Sequence, residues 1–164
     1  MMEATAVTRL RSGEEDRLRA IRLHALGDAP DAFGTTLAVA SGWPLSSWTH
    51  QLRTLPTFVA VLGGEDIGMV RGAVDPDAPS QVWLISMWVA PAARGTGTGS
   101  ALVTAVQDWA RGTDAVRLVL EVGGHNHRAQ RLYQRMGFQD TGGRRRLPPP
   151  RDHIEECEMA LPLR

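Results

Sequence analysis

Residues Arg94 to Val103 read RGTGTGSALV: three glycines alternate with small hydroxyl residues, and an apolar helical pattern follows at once. The first N–H groups of such a helix have no intrahelical partner. Glycine lets a ligand approach them closely, and the helix dipole adds partial positive charge there. Arg94 brings a full charge to the entrance. A corner of this kind suits a pyrophosphate; its alternative is a bare flexible turn. It is not a Walker A loop, because Thr98-Gly99-Ser100 offers no lysine after the last glycine. It is not a dinucleotide fingerprint either, since the glycines run G-x-G-x-G rather than G-x-G-x-x-G. Further along, His125 and His127 flank Asn126. They could relay protons or simply be solvated. With no cysteine or carboxylate cluster beside them, no metal site is expected.

The elements around these residues follow from periodicity. Ala4–Leu10 alternates enough for a first strand. Ser12 with Glu15 three residues on resembles a capping box, so a helix is predicted over Ser12–Leu26, with Leu18, Ile21 and Ala25 on its apolar face. A short helix is predicted over Pro44–Arg53, with Pro44 in its first turn. The runs PTFVAVL and IGMVRGAV flank GGED and read as a hairpin. Gln81–Ala90 is a strongly apolar strand ended by Pro91, and Ala115–Val122 is a second central strand. Between them the glycine turn opens a helix reaching about Arg111, with Leu102, Val103, Val106 and Ala110 on one face. Ala129, Leu132, Tyr133 and Met136 define another helix, which Gly137 stops. GGRRRLPPPRD reads as a basic, proline-rich loop, and HIEECEMALPL as a closing strand. The order β-α-α-β-β-β-α-β-α-β-β describes an α+β or mixed α/β domain.

The chain has 164 residues, 43% of them hydrophobic, which is the composition of one globular domain spanning 1–164. Its formal net charge is zero, with no basic excess to neutralise phosphates, so no nucleic-acid partner is expected. The basic residues are all arginine, which removes any lysine-based Schiff-base chemistry. The single Cys157 rules out an internal disulfide and fits a reducing compartment. The start MMEATAVTRL lacks the basic and apolar blocks of a secretory signal, and no apolar run reaches the ~18 residues of a membrane span. The expectation is a cytoplasmic protein without a membrane partner.

Two blocks resemble the GCN5-related N-acetyltransferases. VAPAARGTGTGSAL is similar to their acyl-CoA-binding motif [RQ]-x-x-G-x-[GA], with Arg94, Gly97 and Gly99 at the defined positions. NHRAQRLYQRMGF is similar to N-x-x-A-x-x-L-Y-x-x-x-G-F, at Asn126, Ala129, Leu132, Tyr133, Gly137 and Phe138. The resemblance implies a mostly antiparallel twisted sheet of six or seven strands, with one parallel, splayed pair and about four flanking helices. It implies acetyl-CoA as co-substrate and direct attack by an amine of a small molecule or peptide N-terminus in a ternary complex. The pantetheine arm would pair with main chain near Met87 and Val89. The pyrophosphate would sit on the N–H groups of Gly95, Thr96, Gly97, Thr98, Gly99 and Ser100. Asn126 would touch the pantetheine or cap its helix, with Ala129 beside it. Arg128, Arg131 and Arg135 are candidates for the 3′-phosphate, or are simply solvated.

The same resemblance puts a general acid at Tyr133, the one tyrosine of the chain. A tyrosine of pKa ~10 can protonate a thiolate of pKa ~8.5 at modest cost. By its spacing alone Tyr133 is equally a core residue. Glu121, in LEVGGHN, matches the base of the ribosomal-protein N-terminal acetyltransferases, although Gly123-Gly124 departs from that subfamily. Its alternative is a solvated strand end. A non-catalytic acyl-CoA-binding module would share the turn but make no use of Tyr133 and Glu121. The acceptor is set in this family by the segment after the first helix and by the loop before the last strand. There, Asp28 or Asp31 could hold an ammonium group, and Phe33, Trp43 and Trp48 could form an apolar wall. A homodimer is an expectation of the family alone.

Overall fold

A computed structural model describes residues 4–164; the first three residues of the segment read for a secretory signal lie outside it. Seven strands form one sheet: β1 (Ala6–Arg9), β2 (Thr57–Leu62), β3 (Glu65–Val74), β4 (Gln81–Val89), β5 (Arg117–Gly123), β6 (Gln139–Arg146) and β7 (Glu155–Pro162). Their order is β1-β2-β3-β4-β5-β7-β6. The β2–β3 turn shrinks to Gly63-Gly64, with φ of 58° and 78°, while Glu65 and Asp66 join the ladder. Two left-handed residues give the turn whose twist matches that of the strands it joins.

Every neighbouring pair is antiparallel except β4 and β5, which run parallel through only three residue pairs, Gln81–Trp83 with Arg117–Val119. Beyond them the strands part. On the other edge of β4 the register against β3 shifts, so that Met69 faces Trp88 but Arg71 faces Ile85. The extra residue is accommodated with Ser86 at φ 57°, outside the region an L-residue prefers. A bulge bends its strand. This one stands beside the split.

The helices are α1 (Glu15–Asp28), α2 (Leu37–Ser41), α3 (Leu45–Thr54), α4 (Thr98–Arg111) and α5 (His127–Arg135). Successive strand residues point to opposite faces of a sheet. Accordingly, Ala60 and Val70 join Leu102, Val103, Val106 and Ala110 of α4, whereas Val59 and Met69 join Leu18, Ile21, Ala25 and Trp48 of α1 and α3. Among the described residues no helix is long and apolar enough to cross a membrane.

Three local expectations need correction. The first helix starts at Glu15 and ends at Asp28, not Ser12–Leu26, and Ser12 does not cap it. Gly13, at φ 97°, turns the chain after Ser12, and the Glu14 carboxylate accepts the Arg11 N–H at 2.7 Å instead. The short α2 has no counterpart in the sequence reading. Thr36 caps it by accepting the Val39 N–H at 3.2 Å, with no glutamate at the third position to advertise the start. Finally, Gly142–Arg146 is not loop but the second half of β6, with Arg144, Arg145 and Arg146 opposite Cys157, Glu156 and Glu155. An edge strand can be charged on its open side, so no apolar alternation marked it.

Candidate active site

The glycine turn delivers the chain into α4 with Gly97 in the N-cap position at φ 89° and Gly95 at φ 78°. The first α4 hydrogen bond runs from the Ala101 N–H to the Gly97 carbonyl at 3.1 Å, which leaves Thr98, Gly99 and Ser100 without intrahelical acceptors. A Cβ at Gly95 or Gly97 would meet nothing within 4 Å, so the turn is open. The Thr96 and Thr98 hydroxyls face each other at 2.9 Å, and Thr98 is buried. These hydroxyls brace the turn from within.

Arg94 is held on two sides. Its Nη2 lies 2.7 Å from Asp28 Oδ2, and its Nε donates to the Val89 carbonyl at 2.9 Å. The Trp88 indole N–H donates to the same Asp28 oxygen at 3.0 Å. Those bonds, the indole's first, hold the Asp28 carboxyl below its usual range. Asp28 is therefore committed to Arg94, and the expectation that it could hold an ammonium group is not met.

From this turn a cavity of about 530 Å³ follows the split between β4 and β5 to the segment after α1. Met87 and Val89 line one side, Glu121 to Gly123 the other, and Asp31 and Phe33 the far end. Asn126, Arg128, Ala129, Arg131, Tyr133 and Arg135 close it from α5. A Cβ at Gly99 would come 2.9 Å from Leu132 Cδ2 and 3.5 Å from Met87 Cε, so the missing side chain lets α4 pack closely on α5 and β4 beside the cavity. Open amides beside unpaired strand ends are the donor set an extended diphosphate with an amide-bearing arm requires. The residues fit coenzyme A.

Tyr133 is only 5% exposed, its ring 5.7 Å from Phe138, and burial pushes its phenol pKa up. It stays protonated, a donor and not a base. Glu121 lines the cavity with a side chain 21% exposed, 3.4 Å from the guanidinium of Arg145. Next to it Glu156 is pushed above the ordinary carboxylate range, first by burial and then by the charge of Glu121. Asn126 caps α5 by accepting the Ala129 N–H at 3.2 Å. His125 packs over Gly123 and lines the cavity, whereas His127 does not. Trp43 lies off the cavity, 5.3 Å from Trp48, and Trp48 is buried among α1 and α3. Of the apolar wall expected of Phe33, Trp43 and Trp48, only Phe33 lines the cavity: Trp48 on α3 is core, and Trp43, before α3, packs half-buried against that core.

Sequence reasoning missed three residues beside the cavity. Ser86 sits on the bulge, and Arg22 and Arg71 are buried behind it. Arg22 shares the i, i+3 spacing of an ordinary exposed helical arginine, and Arg71 stands in a run of mixed apolar and glycine residues. Nothing local distinguishes either from a solvated charge.

This sheet, its single parallel pair and the amide turn at the split define an acyl-CoA-dependent transferase fold. Residues 28–138 match the acetyltransferase (GNAT) family, and the chain belongs to that family. It is 38% identical over 88 residues to N-acetyltransferase family 8 member 2 of Rattus norvegicus, a match covering 52% of this chain and 39% of the relative. The chain thus spans about two fifths of the length of that relative. A GNAT-family acetyltransferase from Streptococcus pneumoniae superposes with a TM-score of 0.82 at 20% identity, covering 97% of this chain and 99% of the other. The yncA protein of Salmonella typhimurium, solved with its cofactor acetyl-CoA, superposes with a TM-score of 0.76 at 19% identity, over 98% and 95% of the two chains.

Proposed function

We infer that this chain transfers the acetyl group of acetyl-CoA to a primary amine by direct attack within a ternary complex. The observation that carries the reading is one cavity joining the open amides of α4, the split strand ends, Tyr133 and Glu121. When bound, acetyl-CoA supplies an acyl thioester whose carbonyl is open to a nitrogen nucleophile.

Each side chain has a part in holding that complex. The N–H groups of Gly97 to Ser100 hold the diphosphate, and the dipole of α4 favours its charge. The main chain at Met87 and Val89, whose Val89 carbonyl is already held by Arg94, aligns the pantetheine arm along the split. Arg128, Arg131 and Arg135 offer charge to the 3′-phosphate. Glu121 accepts the proton the amine must lose, since an alkylamine near neutral pH is almost wholly protonated. As the C–N bond forms and the C–S bond breaks, the sulfur leaves as a thiolate, and the protonated Tyr133 Oη donates a hydrogen bond to it. Asp31 and Phe33 border the acceptor end.

Calorimetry with acetyl-CoA, followed by thiol release over a panel of amino acids, polyamines, aminoglycosides and short peptides, tests the reading. Micromolar affinity and release with at least one amine are expected. No affinity for acetyl-CoA would refute the function, and binding with no turnover on any amine would leave a non-catalytic module.

A further inference from the structure

Two arginines lie under the acceptor end of the cleft without a carboxylate between them. Arg22, on α1, is 5% exposed; its Nε and Nη1 are sealed from solvent with no hydrogen-bond partner, and its guanidinium lies 4.7 Å from the centre of the Phe33 ring. Arg71, on β3, is also 5% exposed and donates to Ser86 Oγ at 2.9 and 2.7 Å and to Gln51 Oε1 at 2.8 Å. Neither forms an ion pair among the described residues. A buried charge is ordinarily paired, and an unpaired one disfavours the folded state. Here two of one sign lie near each other, and burial first, then the charge of Arg22, disfavours the charge on Arg71.

The residues that separate these guanidinium groups from the cavity are Phe33 and Ser86, and both line it. Ser86 is held at φ 57° with its hydroxyl against two nitrogens of Arg71. A hydroxyl accepting from a guanidinium keeps its own proton free to donate outward. Across the split, Ile85 and Glu121 each stand two residues past the last parallel pair, Trp83 with Val119. Positive charge behind β4 and a carboxylate on β5 therefore flank the same stretch of cleft.

We propose that the acceptor amine also bears a carboxylate, as a free amino acid does, and that the Ser86 hydroxyl receives it beside Phe33, with the charge of Arg71 and Arg22 behind. This rests on the acetyl-transfer reading above. The amine then faces Glu121, and the carboxylate faces Ser86 with the uncompensated arginines behind it. Ser86 Oγ already accepts from Arg71, so its own proton can go to a carboxylate oxygen, and the guanidinium charge behind it strengthens that bond. Sealing the pair behind Phe33 keeps water from screening it.

Thiol release should be measured for matched acceptors: free L-amino acids, the same amino acids as primary amides, and the corresponding decarboxylated amines. The wild-type protein is expected to prefer the acids by at least tenfold in kcat/KM. Arg22→Leu should bring that preference towards one, mainly through KM for the acid, with acetyl-CoA affinity by calorimetry retained. Arg71→Gln should act in the same direction. Amides or amines used as well as the acids by the wild type would overturn the proposal without any variant. So would a preference that survives both substitutions, or turnover confined to amines lacking a carboxylate. Failure to bind acetyl-CoA would be a separate result, against the acetyl-transfer reading.

Discussion

Arg94 Nη2 lies 2.7 Å from Asp28 Oδ2, joining the entrance of the phosphate turn to the last residue of α1. The two are far apart in sequence, yet the pair fixes how the glycine turn stands against the segment that follows Asp28. Trp88 Nε1, bonded to the same oxygen at 3.0 Å, adds β4 to the junction. One carboxylate thus sets the spacing of three elements around the cleft.

Its contribution has a definite pH dependence. The folded state holds the Asp28 carboxyl below the unfolded value of about 4. A depressed carboxylate stabilises the fold above that unfolded value and loses its effect as pH falls through the folded one. Urea denaturation should show Asp28→Asn less stable than wild type near neutrality, with the gap closing below about pH 4. A gap independent of pH would mean the carboxylate charge is not what matters.

The acetyl-transfer reading gives Tyr133 a chemical part beside its packing, and one atom separates the two. In Tyr133→Phe the ring keeps its place against Phe138, so the melting temperature should shift by only a few degrees, while kcat falls about a hundredfold. An undiminished kcat would leave the residue a core aromatic.

Glu121→Gln should cost most of the rate near neutral pH and progressively less as pH approaches the pKa of the acceptor, where free amine no longer needs a base. The pH–rate profile of kcat/KM reads this directly. Profiles parallel to wild type would assign the proton to another group.

The close packing at Gly99 offers a test of ligand path. Gly99→Val would push aside Leu132 and Met87, which line the cavity, so acetyl-CoA affinity by calorimetry should fall at least tenfold, with the far-ultraviolet circular dichroism unchanged. Unchanged affinity would route the pantetheine arm elsewhere.

A stability control lies on the far side of the sheet. A Cβ at Gly72 would fall inside contact distance of the Trp109 ring of α4. Gly72→Ala should therefore destabilise by about 1–3 kcal/mol in chemical denaturation, the usual cost of overpacking a filled core.

Much of this protein was legible in its residues. The β2–β3 hairpin follows from Gly63-Gly64, the buried face of α4 from Leu102, Val103 and Val106, and the amide turn from Gly95, Gly97 and Gly99, because those signals act within one turn of chain. The strand Gly142–Arg146 was not legible, since an exposed edge needs no apolar pattern and three arginines resemble a wet loop. Glu121 and Tyr133 could be singled out by motif, but their facing one cavity could not.

Sequence by itself determined where the backbone must turn, which faces are apolar and where free amides begin, because glycine conformation and hydrophobic periodicity are local properties. Tertiary structure alone decided which charges are spoken for. Asp28 is taken by Arg94, whereas Arg22 and Arg71 are left unpaired beneath the cleft. Burial and the partners across a sheet settle a charge's fate, and both depend on chain brought together from distant positions.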